Sequence, residues 1–421
     1  MKKWLACLAH DAEPDIDECV SVLGRHIAWL HELKSTPQDP EWHAEGNVHI
    51  HTGMVLDAVY TLLKTEALHI QGEQRMALIL GALLHDIAKP VQTKQAEING
   101  VVRVVSPKHE ELGRSYLAFK LMALPLPFSV VWAVLGLVGE HHMPKRLAVK
   151  NADRGEYLAL SRRVDTELLY WLEVADMKGR VCPDLPLQLQ HLDEFRLFAQ
   201  EYGVWGKAYQ PTAIHVLLGN ESDKASRYVA AQALSDMQAN TIVQEEEALA
   251  RSFSHKDHYA HLVILCGPSG SGKSTFVSEH FSHYELISLD ALRGEINGDQ
   301  SSQECVGKVL HLAKDKLKAC LRSKQHVVWD ATNLRRDFRK IIADFGRDYH
   351  ALVTMVVFLH SEKMLYRSNA NRARRVPDEV LKKQLSSYQF PLVDEAHEYI
   401  VVGEKGAVLK SLSGNQSHSL L

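Results

Sequence analysis

Residues 261–276 read HLVILCGPSGSGKSTF, an apolar run broken by a glycine-rich turn that ends Gly-Lys-Ser-Thr. The pattern G-x-x-x-x-G-K-S is met by Gly267, Gly272, Lys273 and Ser274. Few features narrow a fold as much, because the glycines must turn the chain sharply between a strand and a helix. Backbone N–H groups along Ser269, Gly270, Ser271 and Gly272 are expected to face phosphate oxygens, with Thr275 following at the start of the helix. Lys273 reaches the outer phosphates, and the Ser274 hydroxyl joins a magnesium shell. The loop therefore calls for ATP, or another nucleoside triphosphate, with Mg2+.

The chain around this loop changes character near residue 256. Beyond it, HLVILC, YELISL, HVVWDA and ALVTMVVFL read as strands alternating with amphipathic segments, which predicts a parallel sheet covered on both faces. Before it, TGMVLDAVYTLLKTEAL and RMALILGALLHDIAK carry apolar residues at helical spacing. One short extended interruption has its turn at Asn99-Gly100. The fold class predicted is multidomain: an all-α domain over 1–185, a helical connecting segment over 186–255, and an α/β domain with a parallel sheet and a helical lid over 256–421.

At 421 residues two or three domains are expected. Net charge is −4, so no bulk basicity advertises nucleic acid, and any such partner needs a local cationic patch. Six scattered cysteines form no C-x-x-C pair, which points to reduced thiols in a cytoplasmic protein. No run of about 18 apolar residues exists, so no membrane partner is expected. Oligomeric state is not encoded in any of these patterns.

Histidines beside acids mark the first domain. GALLHDIAKP places His85 and Asp86 together near the end of an apolar helix. Buried there, the pair is costly unless it is paired or metal-bound. NVHIHTGMVLD adds His51, SPKHEELGRS adds His109, GEHHMP adds His141 or His142, and EVADMKGR adds Asp176. Helices that bring His51, His85, Asp86 and Asp176 together make a mixed nitrogen and oxygen site for a divalent transition metal such as Ni, Co or Mn. His109 and His141 are candidates for a second ion with Asp86 bridging. Lys89 and Arg180 are candidates to contact substrate phosphate or to pair with acids, and His43 is expected to be peripheral. The order H…HD…H…H…D resembles the HD phosphohydrolase superfamily, and HT, HDIAKP and ADMKGR are similar to the HD domains attached to tRNA CCA-adding enzymes.

After the loop, ELISLDALRGEINGD sets Asp290 at a strand end with Arg293 one helical turn later. A kinase acting on a hydroxyl needs a carboxylate to take its proton, and a cation can fix a phosphate on the acceptor. VVWDATN ends a strand with Asp330, and YRSNANRARRVP carries Arg367, Arg372, Arg374 and Arg375 on a lid. These motifs together resemble the polynucleotide 5′-hydroxyl kinases over about residues 260–395. The resemblance implies Asp290 as general base, Arg293 on the acceptor's 3′ phosphate, Asp330 as organiser of the site, and Arg367 as first lid arginine. The second lid arginine would fall on Asn371, so Arg372, Arg374 and Arg375 all stay candidates. Together the two modules resemble bacterial end-healing enzymes. The substrates implied are RNA or DNA ends with a 5′-hydroxyl and a 2′,3′-cyclic or 3′-phosphate, and the functional partner implied is a polynucleotide ligase. Two other readings fit the same motifs: an HD nucleotidase fused to a small-molecule kinase, and a non-enzymatic ATP-regulated switch on an RNA-binding scaffold.

Overall fold

The computed structural model describes residues 1–219, 222–297, 306–372 and 374–413. The chain divides into two compact units, Met1–Tyr209 and Gln210–Leu421. This boundary falls inside the segment 186–255 that the sequence assigns to a connector. The helix Leu185–Glu201 packs on the helices Thr166–Lys178 and Met143–Val149 of the first unit. Helices Asp223–Gln238 and Glu247–Ser252 pack on each other within the second. Helical periodicity marks an apolar face without saying which neighbour covers it.

In the first unit the helix Gly72–Leu84 is central, with every residue from Arg75 to Leu84 buried. It packs against the helices Phe128–Glu140 and Val48–Lys64. Each fully buried Leu or Ile contributes about 1.5–3 kcal/mol, so this helix is fixed from all sides. The Val48–Lys64 helix starts where the Asn47 side chain accepts a hydrogen bond from the Ile50 N–H. The Thr166–Lys178 helix starts where Asp165 accepts from the N–H groups of Glu167 and Leu168. Past the end of that second helix, a Cβ on Gly179 would stand 2.8 Å from the Val55 nitrogen, so only glycine permits the approach. The extended interruption is a hairpin of β1 (Lys94–Ile98) and β2 (Val101–Val105). Asn99 (φ 51°) and Gly100 (φ 80°) are both left-handed, as a two-residue hairpin turn requires.

The second unit is built on six strands: β3 (His261–Cys266), β4 (Glu285–Ser288), β5 (Val327–Asp330), β6 (Leu352–Phe358), β7 (Glu398–Val402) and β8 (Val408–Leu412). Their order is β4-β5-β3-β6-β7-β8, parallel except for the antiparallel β7–β8 pair. Every residue of β3 and β6 is buried, as expected for a sheet covered on both faces. The four strands read from sequence are β3 to β6, whereas β7 and β8 were not anticipated. Glu398 opens β7 and would be read as a surface residue. Its carboxylate is instead buried, taking two hydrogen bonds from Arg227 (2.6 and 2.7 Å) and one from the Thr354 hydroxyl (2.6 Å).

The order β4-β5-β3 sets three carboxyl ends side by side: Asp290 just after β4, Asp330 at the end of β5, and the glycine loop after β3. Ligands of open α/β sheets gather at such strand ends. The described cysteines Cys7, Cys19, Cys182, Cys266 and Cys320 are free, while Cys305 lies outside the described residues. Among the described residues, no helix is long and apolar enough to cross a membrane.

One fully buried ion pair braces this end of the sheet. Arg339, on the helix Arg336–Asp348, donates to both Glu395 oxygens at 2.7 and 2.9 Å and to the Asn333 carbonyl at 3.0 Å. Removing one partner of a buried pair leaves a charge without compensation. Arg339→Ala is therefore expected to lower the unfolding free energy of this unit by about 3–5 kcal/mol in urea denaturation. Arg339→Met combined with Glu395→Leu should recover much of the loss.

Candidate functional site

Helix ends converge in the first unit. His51 lies in the first turn of Val48–Lys64, His85 follows Leu84 at the end of the central helix, and Asp86 comes next. His109 opens the helix His109–Leu121, His141 follows Glu140, and Asp176 is in the last turn of Thr166–Lys178. All six residues are buried, at 0–4% exposure. His51 Nε2 stands 3.0 Å from Asp176 Oδ1, 3.4 Å from His85 Nε2 and 3.7 Å from Asp86 Oδ2. His85 Nε2 is 3.2 Å from Asp86 Oδ2. Donors around one ion with bonds of about 2.0–2.2 Å are separated by roughly 3.0–3.5 Å, so these atoms have the spacing of one coordination sphere.

The other Asp86 oxygen faces a second group. Asp86 Oδ1 is 3.0 Å from His109 Nε2, which is 3.2 Å from His141 Nε2. His142 joins His109 and His141 in the same cluster of ligand atoms. The structure thus brings together every metal-ligand candidate read from the sequence and turns Asp86 toward both subsites. It adds His142 without separating it from His141.

Each imidazole is held by its other nitrogen. His85 Nδ1 donates to the Ala82 carbonyl (2.7 Å), His109 Nδ1 to that of Ser106 (2.7 Å), and His141 Nδ1 to that of Val138 (2.8 Å). His51 Nδ1 lies 3.0 Å from Glu45 Oε1 and 3.2 Å from the Gly179 carbonyl. With Nδ1 protonated, the Nε2 lone pairs point at one another across 3.2–3.4 Å, an arrangement that a cation between them relieves. Asp86 Oδ2 makes no hydrogen bond, although the Lys89 ammonium is 2.7 Å away as an ion pair. The donor set fits a divalent transition metal.

Electrostatics prepare the same state. Burial pushes Asp86 upward, but His85, Lys89 and His109 outweigh it and hold the carboxyl well below its ordinary range. Burial likewise opposes Asp176, and Arg180 and His51 hold it low. Burial drives His141 and His142 well below the ordinary imidazole value, reinforced by their neighbouring imidazoles. Carboxylates ionised and imidazoles neutral are the forms that bind metal, and His85 departs from them, because against its burial the charges of Asp86 and Asp176 raise it.

Two acids here escaped the sequence reading. Glu45 is held between His43 Nδ1 (2.8 Å) and His51, and His43 accordingly sits behind the ligands. Nothing in EWHAEGN marks that role. Glu173 lies fully buried one helical turn before Asp176, a spacing that marks it in hindsight. Burial and the charge of Asp176 push its carboxyl up to about 8.

In the second unit the loop closes around its own lysine. Lys273 Nζ donates to the carbonyls of Gly267 (2.8 Å) and Pro268 (2.9 Å). Gly270 (φ 82°) and Gly272 (φ 89°) supply the left-handed turns. A Cβ on Gly270 would stand 3.2 Å from the Asn369 nitrogen, so the lid helix Glu362–Ala370 lies directly on the loop. Ser269 exchanges two hydrogen bonds with Gln384, and the Ser271 carbonyl accepts from His360 Nε2 at 3.0 Å. Ser274 and Thr275 are exposed at the start of the helix Lys273–His280.

Asp290 is exposed and ion-paired to Arg293. Burial raises Asp330 and lowers Lys273, and both feel the charges of each other, of Asp290 and of Arg372. These four side chains therefore share one electrostatic site. Arg375 is engaged by Asp378 at 2.8 Å, and Arg367 is exposed on the lid helix. Asn333 braces the site from behind by donating to the Leu265 carbonyl at 2.6 Å. Asn369 clips the arginine segment by bonding both the N–H and the carbonyl of Val376.

Two family models match the chain, the HD domain over residues 49–177 and the AAA domain over residues 262–391. No curated protein sequence matches it. Among solved structures, a gluconokinase from Sinorhizobium meliloti 1021 aligns at 20% identity over 35% of this chain and 85% of that one, with a TM-score of 0.27. The chain joins a helical N-terminal HD domain to an α/β P-loop kinase-like domain.

Two measurements follow from the first site. His85→Ala and Asp86→Ala should each abolish stoichiometric transition-metal binding, read by elemental analysis of the purified full chain. In the metal-free protein, Glu173 keeps its proton up to about 8, whereas the unfolded chain loses it near 4.5. Unfolding then releases a proton between those values, so stability falls as pH rises through that window, by at most about 1.4 kcal/mol per unit. Glu173→Gln, which cannot ionise, should flatten that fall in the melting temperature.

Proposed function

We propose that the chain heals nucleic-acid ends, most naturally RNA, by adding phosphate to a 5′-hydroxyl in one unit and removing it from a 2′,3′-cyclic or 3′-phosphate end in the other. The observation that carries this reading is the exposed Asp290–Arg293 pair beside the phosphate-binding loop. A carboxylate and a guanidinium one turn apart suit an acceptor that presents a hydroxyl and a phosphate of its own. The paired opposite chemistries support it further, because cleavage of a strand leaves both defects at one break.

In the kinase unit, the 5′ oxygen attacks the γ-phosphorus, its proton passes to Asp290, and the nucleoside diphosphate leaves. Lys273 gives up its carbonyl partners for the outer phosphate oxygens. Arg372, whose charge already reaches Lys273 and Asp330, stabilises charge on the transferring group. Arg293 holds the phosphate on the acceptor strand.

In the HD unit, His51, His85, Asp86 and Asp176 would hold one divalent ion, and His109, His141 and His142 would hold a second with Asp86. Such an ion supplies water acidified enough to act as a nucleophile near neutral pH. Lys89 and Arg180 keep Asp86 and Asp176 ionised. The products, a 5′-phosphate and a 3′-hydroxyl, are the ends that a polynucleotide ligase seals.

The test is a strand bearing a 5′-hydroxyl and a 3′-phosphate. Asp290→Ala should abolish 5′ phosphorylation and leave 3′ dephosphorylation intact, and Asp86→Ala should do the reverse. Arg372→Ala should slow phosphorylation by about 2–4 kcal/mol of transition-state stabilisation. Transfer to free nucleosides or sugars but not to the strand would replace this reading with that of a small-molecule kinase.

A further inference from the structure

A cavity of about 430 Å3 opens over the second histidine group, within the range of about 300–1,000 Å3 typical of small-ligand sites. Three cations line it: Lys89, Arg180 and Lys145. Two of them are committed. Lys89 pairs with Asp86 at 2.7 Å and bonds Gln38 at 2.7 Å, and Arg180 pairs with both oxygens of Asp176. Both therefore compensate ligand carboxylates rather than wait for substrate. Lys145 differs. Its ammonium has no ion-pair partner among the described residues, and its one hydrogen bond is to the Met177 sulfur at 4.0 Å, a weak acceptor. It is partly exposed and sits on the same wall as His142.

The rim of the cavity carries an aromatic ring. Trp42 is 43% exposed and lines the same space. The Arg103 guanidinium packs over the indole at 5.1 Å from its centroid, and Arg103 is itself anchored by Asp39 at 3.2 Å and by Glu41. An indole fixed in this way is a preorganised stacking platform, which loses little freedom when a flat ring settles on it. Lys145 acts at longer range on Glu173 and Asp184 but contacts neither, so an ammonium free of a contact ion pair and a rigid aromatic at the rim supply the two contacts a nucleotide needs.

We infer that this cavity takes the terminal nucleotide, with its 3′-phosphate held by Lys145 over the histidine cluster and its base stacked on Trp42. The inference rests on the end-healing reading and adds that the HD site reads the base as well as the phosphate.

The experiment uses the metal-loaded full chain, with a nucleoside 3′-monophosphate and β-glycerol phosphate as substrates and inorganic phosphate and adenosine as competitors. Wild type should prefer the nucleotide by about tenfold or more, on the scale of one base-aromatic stack. Trp42→Ala should erase that preference and weaken adenosine inhibition about tenfold, with phosphate inhibition unchanged. Lys145→Ala should weaken phosphate inhibition with adenosine inhibition unchanged, and Lys145→Arg should restore it. Trp42→Phe should keep most of the preference, and bound metal should be equal in all four variants. Inhibition constants that stay at wild-type values in Trp42→Ala and Lys145→Ala overturn the subsite while leaving end healing intact. A wild-type chain that cleaves β-glycerol phosphate but neither nucleotides nor strand ends overturns both.

Discussion

Asp86 turns its two carboxylate oxygens to different partners, Oδ2 to His51 and His85 and Oδ1 to His109, at the end of a helix buried on every side. Bringing that carboxylate into the interior is costly unless positive charge meets it. The geometry of the first unit answers this constraint. The central helix delivers Asp86, three further helices end around it, and Gly179 lets the helix of Asp176 come near enough to His51 to complete the set. Lys89 and Arg180 balance Asp86 and Asp176 one for one, while Glu173 stays neutral up to about 8. Glu45 adds one carboxylate beyond that balance, and a divalent ion would more than offset it and leave positive charge facing the cavity. Positive charge there favours an anion over a cation.

The second unit meets a different constraint, because its loop must hold backbone N–H groups in place for a ligand. The loop does not do this alone. Gly267 N–H donates to the Thr332 carbonyl at 3.0 Å, Asn333 bonds the end of β3, and Arg339 with Glu395 fixes Asn333 from below. His360 and Gln384 hold the far side. The D-A-T-N segment thus divides its labour, Asp330 sharing the electrostatic site of Lys273 and Thr332 and Asn333 bracing the loop.

Much of this was legible in the sequence for a physical reason. The loop, the D-x-x-R pair and the histidine–aspartate set are built from glycine, charged and imidazole side chains at short spacings, so they can be read as letters. The tautomers of His85, His109 and His141 are set by backbone carbonyls three residues earlier, and any residue can supply a carbonyl. Those contacts leave no mark. Strand β7 was missed because Glu398 looks solvated until Arg227, far away in sequence, is brought against it. The segment 186–255 shows its helices clearly, yet which unit each helix joins depends on surfaces that periodicity does not name.

The two units also differ in the ions they suit, and the difference comes from donor chemistry alone. Around the glycine loop the available donors are oxygens: the Ser274 hydroxyl, the Asp330 carboxylate and the phosphates of the nucleotide. Magnesium prefers such hard donors and retains much of its water. The HD cluster offers up to five imidazoles and two carboxylates. Imidazole favours the later first-row ions, and nitrogen donors give magnesium little in return for its hydration shell. The two donor sets therefore differ in hardness, oxygen beside the loop and mostly imidazole in the cluster, so an ion well matched to one is poorly matched to the other.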